Sequence, residues 1–145
     1  PRKTDAGTGA LEQMVWAEFC KDHFASHVNR LRARLKAKCD ITIAALEENF
    51  GTAAEFTPPL GGIFIWVTLP DGVNTTRLAT EAAKEGIAIN PGAEWTVDGP
   101  DNTTRMRLCF GHPEEAEIRE GIARLAGICH REFGVPERIS NATQS

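Results

Sequence analysis

The run Ile63-Phe64-Ile65-Trp66-Val67-Thr68-Leu69 places the strongest constraint on what this chain can fold into. It is built of β-branched and aromatic residues and is too short and too stiff for a helix, so it predicts a central strand. Turn formers bound it on both sides, Gly61-Gly62 before and Pro70-Asp71-Gly72 after. A second strand is expected at Arg105-Met106-Arg107-Leu108-Cys109-Phe110, where period-two alternation puts Met106, Leu108 and Phe110 on one face and Arg105, Arg107 and Cys109 on the other. Ile87-Ala88-Ile89, closed by Asn90-Pro91-Gly92, reads as a third, short strand.

Helical spacing fills most of the remainder. Leu11, Met14, Val15 and Phe19 predict a short amphipathic helix over residues 11–20. A longer helix follows, with Val28, Leu31, Leu35, Cys39, Ile43, Leu46 and Phe50 on its inner stripe and Gly51 at its end. Asn74 or a neighbouring threonine can cap a helix that turns Leu78, Ala79, Ala82 and Ala83 inward and stops at Gly86. Pro113, Glu114 and Glu115 open a last helix with the stripe Ile118, Ile122, Leu125, Cys129 and Phe133, stopped by Gly134-Val135-Pro136. The order helix, helix, strand, helix, strand, strand, helix is that of an α/β fold, a sheet layered with helices.

Composition narrows the function classes. At 145 residues, 41% hydrophobic and 25% charged, the chain suits one ordinary globular domain. A net charge of -4 offers no basic excess for a phosphate backbone or an anionic membrane, so nucleic acid and membrane partners are not expected through this domain. No apolar run approaches the roughly 20 residues that span a bilayer, and no signal peptide opens the chain, which therefore reads as soluble and cytoplasmic. Cys20, Cys39, Cys109 and Cys129 stand far apart without a C-x-x-C pair, as free thiols would. The start at Pro1, running directly into a loop-like Asp5-Ala6-Gly7-Thr8-Gly9, is what a segment of a longer protein would show.

Few residues offer chemistry. Arg107 lies mid-strand, and because a guanidinium is not neutralised by losing its proton, it must meet an anion or reach water. In a cleft its fork suits bidentate binding of a carboxylate or phosphate; on an open surface it is a strand arginine or one half of an internal salt bridge. Spacing alone leaves both open. Cys20, His23 and His27 share one helical face, but no fourth ligand follows at zinc spacing, and surface histidines explain them. His112, beside Pro113, fits a loop at a helix start. No nucleophile motif occurs, and Gly7-Thr8-Gly9 and Gly61-Gly62 lack the context of a phosphate loop. Lys3, Lys21, Lys36, Lys38 and Lys84 lie in an end segment or on polar helix faces, without the apolar surroundings of a catalytic lysine.

Four segments nonetheless fall into a known order: Pro59-Leu60-Gly61-Gly62-Ile63-Phe64-Ile65-Trp66; Gly86 to Gly92 with Trp95; Arg107-Leu108-Cys109-Phe110; and Glu115 to Ala126. Together they resemble the C-terminal small domain of fold type I, pyridoxal-phosphate-dependent aminotransferases of class I/II. The closest look is to the branch holding aminoadipate-type and aromatic-type enzymes and the aminotransferase half of MocR-like regulators. The resemblance covers residues 9–134 and departs at Cys109, where the family often has serine.

It implies a small α+β sandwich with a mostly antiparallel sheet covered by helices. It implies a junction from a large domain at 1–10, the small domain at 11–134 and a polar tail at 135–145. It makes Arg107 the arginine that binds the substrate α-carboxylate, with Gly62 and Trp95 as possible lining of the site. The parent would be a transaminase acting on an amino acid and a 2-oxo acid with pyridoxal 5'-phosphate, as a homodimer. The Schiff-base lysine and the other cofactor anchors would belong to a large domain upstream, no position here matches them, and the segment alone would not turn over. The alternative is a non-catalytic module, either the effector-sensing domain of a MocR-type transcriptional regulator or a free-standing carboxylate-binding domain.

Overall fold

The computed structural model describes residues 9–95 and 103–136. Its contacts divide the chain into two compact units, Pro1–Arg34 and Leu35–Ser145. Helix α1, Ala10–Phe50, is 41 residues long and contributes to both. The two helices expected here are one, because no glycine or proline stands between Ala10 and Phe50 to break the pattern. The pairs Glu18 with Lys21 and Lys36 with Asp40 dress its polar side.

In the first unit the helix leaves Leu11, Met14, Val15, Trp16 and Phe24 exposed. Leu31 is also exposed, so the inward stripe anticipated from Val28 onward is buried only from Cys39, continuing through Thr42, Ala45, Leu46 and Phe50.

The second unit is an α+β arrangement around a four-stranded antiparallel sheet, as expected. Its strands are β1 (Glu55–Phe56), β2 (Phe64–Thr68), β3 (Asn90–Pro91) and β4 (Arg105–Cys109), in the order β1-β2-β4-β3. The anticipated central strand is β2, and β4 lies beside it. The third strand is displaced: Asn90 and Pro91 pair with Arg107 and Met106, while Ile87–Ile89 stays outside the ladder. A proline is tolerated there because β3 is an edge strand, where a missing N–H breaks no ladder bond.

Helix α2, Thr75–Lys84, starts where Asn74 accepts a hydrogen bond from the Arg77 backbone N–H at 3.0 Å. Leu78 and Ala82 are buried, but Ala83 is exposed rather than inward. Helix α3, Glu115–Phe133, opens on a capping box between Glu114 and Glu117 and closes at Gly134, whose φ of 67° is the left-handed conformation a glycine adopts without cost. The core gathers Ile65 and Val67 from β2, Met106 and Leu108 from β4, Leu46 and Phe50 from α1, Leu78 from α2, and Ile122, Leu125 and Ile128 from α3. All of them sit on one face of the sheet or on the helices covering it. No described helix is long and apolar enough to cross a membrane.

Candidate functional site

The opposite face of the sheet carries the polar chemistry. Leu69 N–H donates to the Thr104 carbonyl and Phe110 N–H to the Ile63 carbonyl, which sets the hydrogen-bonded pairs of β2 and β4 at 63/110, 65/108, 67/106 and 69/104. Trp66 and Arg107 are therefore a non-hydrogen-bonded pair, the kind whose side chains stand closest. Phe64 lies diagonal to Arg107 on that face, opposite Cys109, and Thr68 lies opposite Arg105.

Arg107 is half-buried, with its guanidinium carbon 3.4 Å from the centroid of the Trp95 ring and 3.9 Å from that of Phe64. Both distances fall well inside the roughly 6 Å reach of a cation–π contact. Its Nε is buried and has no hydrogen-bond partner. Among the described residues the ion pairs are made by Lys21, Lys36, Arg77, Lys84, Arg124 and Arg131, and none by Arg107. An internal salt bridge of Arg107, one form of the structural reading left open by spacing, is thus not found among these residues. The backbone that aims Arg107 is held from two sides. Asn90 Nδ2 donates to the Arg107 carbonyl at 3.4 Å, and the buried Thr75 Oγ1 donates to the Arg105 carbonyl at 2.8 Å.

Phe64 and Trp95 also line a cavity of about 840 Å3, together with Phe56, Pro58, Pro59, Trp66 and, as its polar groups, Glu55, Thr57, Thr68 and Arg105. Trp95 is among the residues lining this cavity. Gly62 is exposed in the turn before β2, at φ 82°, and is not among the lining residues. Chemically, the face offers a fixed, always-charged fork beside an aromatic wall. It can bind and orient a planar anion.

The other candidates lie elsewhere. His23 and His27 both contact the Phe19 ring, at 5.1 and 5.8 Å, and no group of three metal-ligating side chains occurs among the described residues. His112 is exposed in the loop before α3, where Lys38 Nζ reaches its carbonyl. A second cavity, of about 530 Å3, lies between Gly86–Ile89, the end of β4 and the first half of α3. Burial pushes the Cys129 thiol up to about 12, and pushes Cys39 up as well, with Asp40 adding to the rise and Lys36 opposing it. Neither is a nucleophile near neutral pH. Phe64 was not anticipated as a site residue; its odd-even phase with Trp66 put it on the right face, but only the register shows that it reaches Arg107.

No described lysine lines the cavity bounded by Phe64 and Trp95: Lys21, Lys36 and Lys84 pair with Glu18, Asp40 and Glu81 on their own helices, and Lys38 meets the Gly111 and His112 carbonyls. Lys3 lies outside the described residues.

The sequence matches the family model "Aminotransferase class I and II" over residues 6–125. Among curated relatives, the aromatic-amino-acid aminotransferase 1 of Thermococcus litoralis is 32% identical over 133 residues, covering 91% of this chain and 32% of that protein. The HTH-type transcriptional regulator YdfD of Bacillus subtilis is 30% identical over 124 residues, covering 85% of this chain and 25% of the regulator. Among solved structures, the α-aminoadipate aminotransferase LysN of Thermus thermophilus, complexed with N-(5'-phosphopyridoxyl)-L-leucine, superposes with a TM-score of 0.76 at 29% identity, over 81% of this chain and 30% of that one. The chain therefore spans about a quarter to a third of the length of the proteins it matches.

Proposed function

Because the chain belongs to the aminotransferase class I and II family, whose cofactor is pyridoxal 5'-phosphate, we propose that it is the small-domain part of such an enzyme and binds the α-carboxylate of an amino acid or 2-oxo acid through Arg107. The observation that carries this reading is the half-buried guanidinium of Arg107, set beside an aromatic-walled cavity with no ion-pair partner among the described residues. A carboxylate supplies the planar, two-oxygen anion that such a fork pairs with through two parallel hydrogen bonds, fixing the orientation of the molecule that bears it.

The described residues do not by themselves fit the cofactor, since none of their lysines is at the cavity. The chain's own part is to bind and orient the carboxylate end. Cofactor anchoring falls to residues outside the described ones, in a large domain of the same polypeptide and across a homodimer interface, and the chain alone does not turn over. In this reading residues 1–10 join that large domain and 135–145 form a tail.

The test uses the chain itself. Titration with pyruvate, followed by NMR, shifts resonances of β4 and Trp95 in the parent chain. Arg107→Ala weakens that binding by about a hundredfold, the worth of one to two charge-assisted hydrogen bonds. Unchanged pyruvate affinity in Arg107→Ala removes Arg107 from the site. Release of a new 2-oxo acid by the isolated chain, given an amino acid, pyruvate and pyridoxal phosphate, refutes its catalytic incompetence.

A second reading is favoured by the likeness to YdfD: the same site senses an effector in a MocR-type regulator, without turnover. In that case an amino acid added to the full-length protein changes its affinity for DNA and yields no 2-oxo acid. A free-standing carboxylate-binding module would bind pyruvate and do neither.

A further inference from the structure

We propose that Phe64 and Trp95 are positioning residues for Arg107. Their rings pack against the guanidinium, and with Nε buried the Nη1/Nη2 edge is left to meet a carboxylate, which is bound end-on. The identity of the ligand rests on the preceding reading; the clamp does not.

The guanidinium carbon is 3.4 Å from one ring centroid and 3.9 Å from the other. At those distances both rings are in contact with the guanidinium. A guanidinium has one donor on Nε and four on its Nη atoms. Here Nε is buried and unpartnered, so the side-on mode, which uses Nε together with one Nη, is closed to a ligand arriving from the cavity. The end-on mode remains.

The clamp is assembled from separate pieces of backbone. Phe64 begins β2, Arg107 is at the middle of β4, and Trp95 ends the turn Gly92–Trp95 that follows the edge strand β3. Neither ring is needed for the core, since Trp95 is 49% exposed and Phe64 is on the face away from Ile65 and Val67. Aromatic side chains with few rotors, packed against a flexible one, order it before the ligand comes. Less freedom is then lost on binding. A leucine of similar reach fills space but offers no π face to the cation.

The experiment measures the ¹⁵N-resolved Arg107 Nε–H signal and pyruvate binding in the parent chain, Trp95→Leu, Trp95→Phe and Phe64→Leu. In the parent chain this proton is displaced by ring currents and exchanges slowly with water. Trp95→Leu brings the signal toward the free-arginine position, speeds its exchange about tenfold, and raises the pyruvate Kd about tenfold, with the amide spectrum of the core unchanged. Trp95→Phe keeps both within about threefold. If Trp95→Leu fails to fold, Phe64→Leu gives the same pair of readings from the other ring.

An Nε–H signal equally shifted and equally protected in Trp95→Leu and Phe64→Leu overturns the clamp, whatever happens to pyruvate. A protected Nε–H that is lost in these variants, in a chain that does not bind pyruvate, supports the clamp and defeats the carboxylate reading instead. On pyruvate binding the Nη signals move and Nε–H stays within its line width; a large downfield move of Nε–H overturns the end-on mode.

Discussion

Replacing Thr75 by valine tests how β4 is held in place beneath Arg107. Thr75 is fully buried at the start of α2; its backbone N–H donates to the Thr103 carbonyl at 2.7 Å and its hydroxyl to the Arg105 carbonyl at 2.8 Å. The β2–β4 register turns the backbone groups of Arg105 away from β2, and β3 ends opposite Met106. The Thr75 hydroxyl thus serves as the lateral partner that a strand residue would otherwise provide. Valine keeps the shape and removes only that donor. Leaving the carbonyl without its partner costs about 2 kcal/mol, within the 1–3 kcal/mol range for an unsatisfied group. For a unit of this size that is roughly 10 °C in Tm. Thr75→Ser is the control: it keeps the hydroxyl and loses one buried methyl group, about 1 kcal/mol. Urea unfolding followed by far-UV circular dichroism gives both values, with an unchanged m-value showing that the same surface is exposed. A Thr75→Val chain within about 0.5 kcal/mol of the parent would refute the reasoning, because the hydroxyl would then contribute nothing that water cannot supply.

Three further outcomes follow from other groups. Asn74→Ala removes the acceptor for Arg77 N–H and lowers stability by about 1 kcal/mol in the same urea assay, while Asn74→Asp keeps the acceptor and stays close to the parent. Cys129 is fully buried and its thiol is pushed by burial from 9.0 to about 12, so between those values the unfolded chain loses a proton that the folded chain keeps. Stability therefore is fully present below pH 9 and falls as pH rises toward 12, at up to about 1.4 kcal/mol per unit. Cys129→Ala flattens this slope in urea titrations between pH 8 and 10.5. With a thiol reagent at pH 8, the partly exposed Cys20 and Cys109 react before Cys39 and Cys129.

The sheet and its covering helices were legible because their clues are local. The β-branched, aromatic run of β2 and the alternation of β4 depend on which face each side chain takes, and a strand's period of two decides that without reference to any partner. Asn74 as a cap and Gly134 as a stop act within one turn of backbone, so they too could be read directly. The same locality explains the one long helix: with no breaker between Ala10 and Phe50, the polar stretch Lys21–His27 does not interrupt it. Placing Arg107 opposite the core-facing Met106, Leu108 and Phe110 also needed nothing but the period.

What periodicity could not supply was pairing across distance. Two-residue strands such as Glu55–Phe56 and Asn90–Pro91 carry too few residues to show a period, and exist because β2 and β4 offer them backbone partners. That β3 forms at Asn90–Pro91 and not at the more strand-like Ile87–Ile89 is likewise a matter of which residues come opposite Arg107 and Met106. The sequence alone determined which side chains face away from the core and that one of them is a permanent cation. Only the tertiary structure decided that Trp95, twelve positions earlier in the chain, and Phe64, on another strand, both meet that cation, because such a contact depends on register and loop path rather than on any residue's own neighbours.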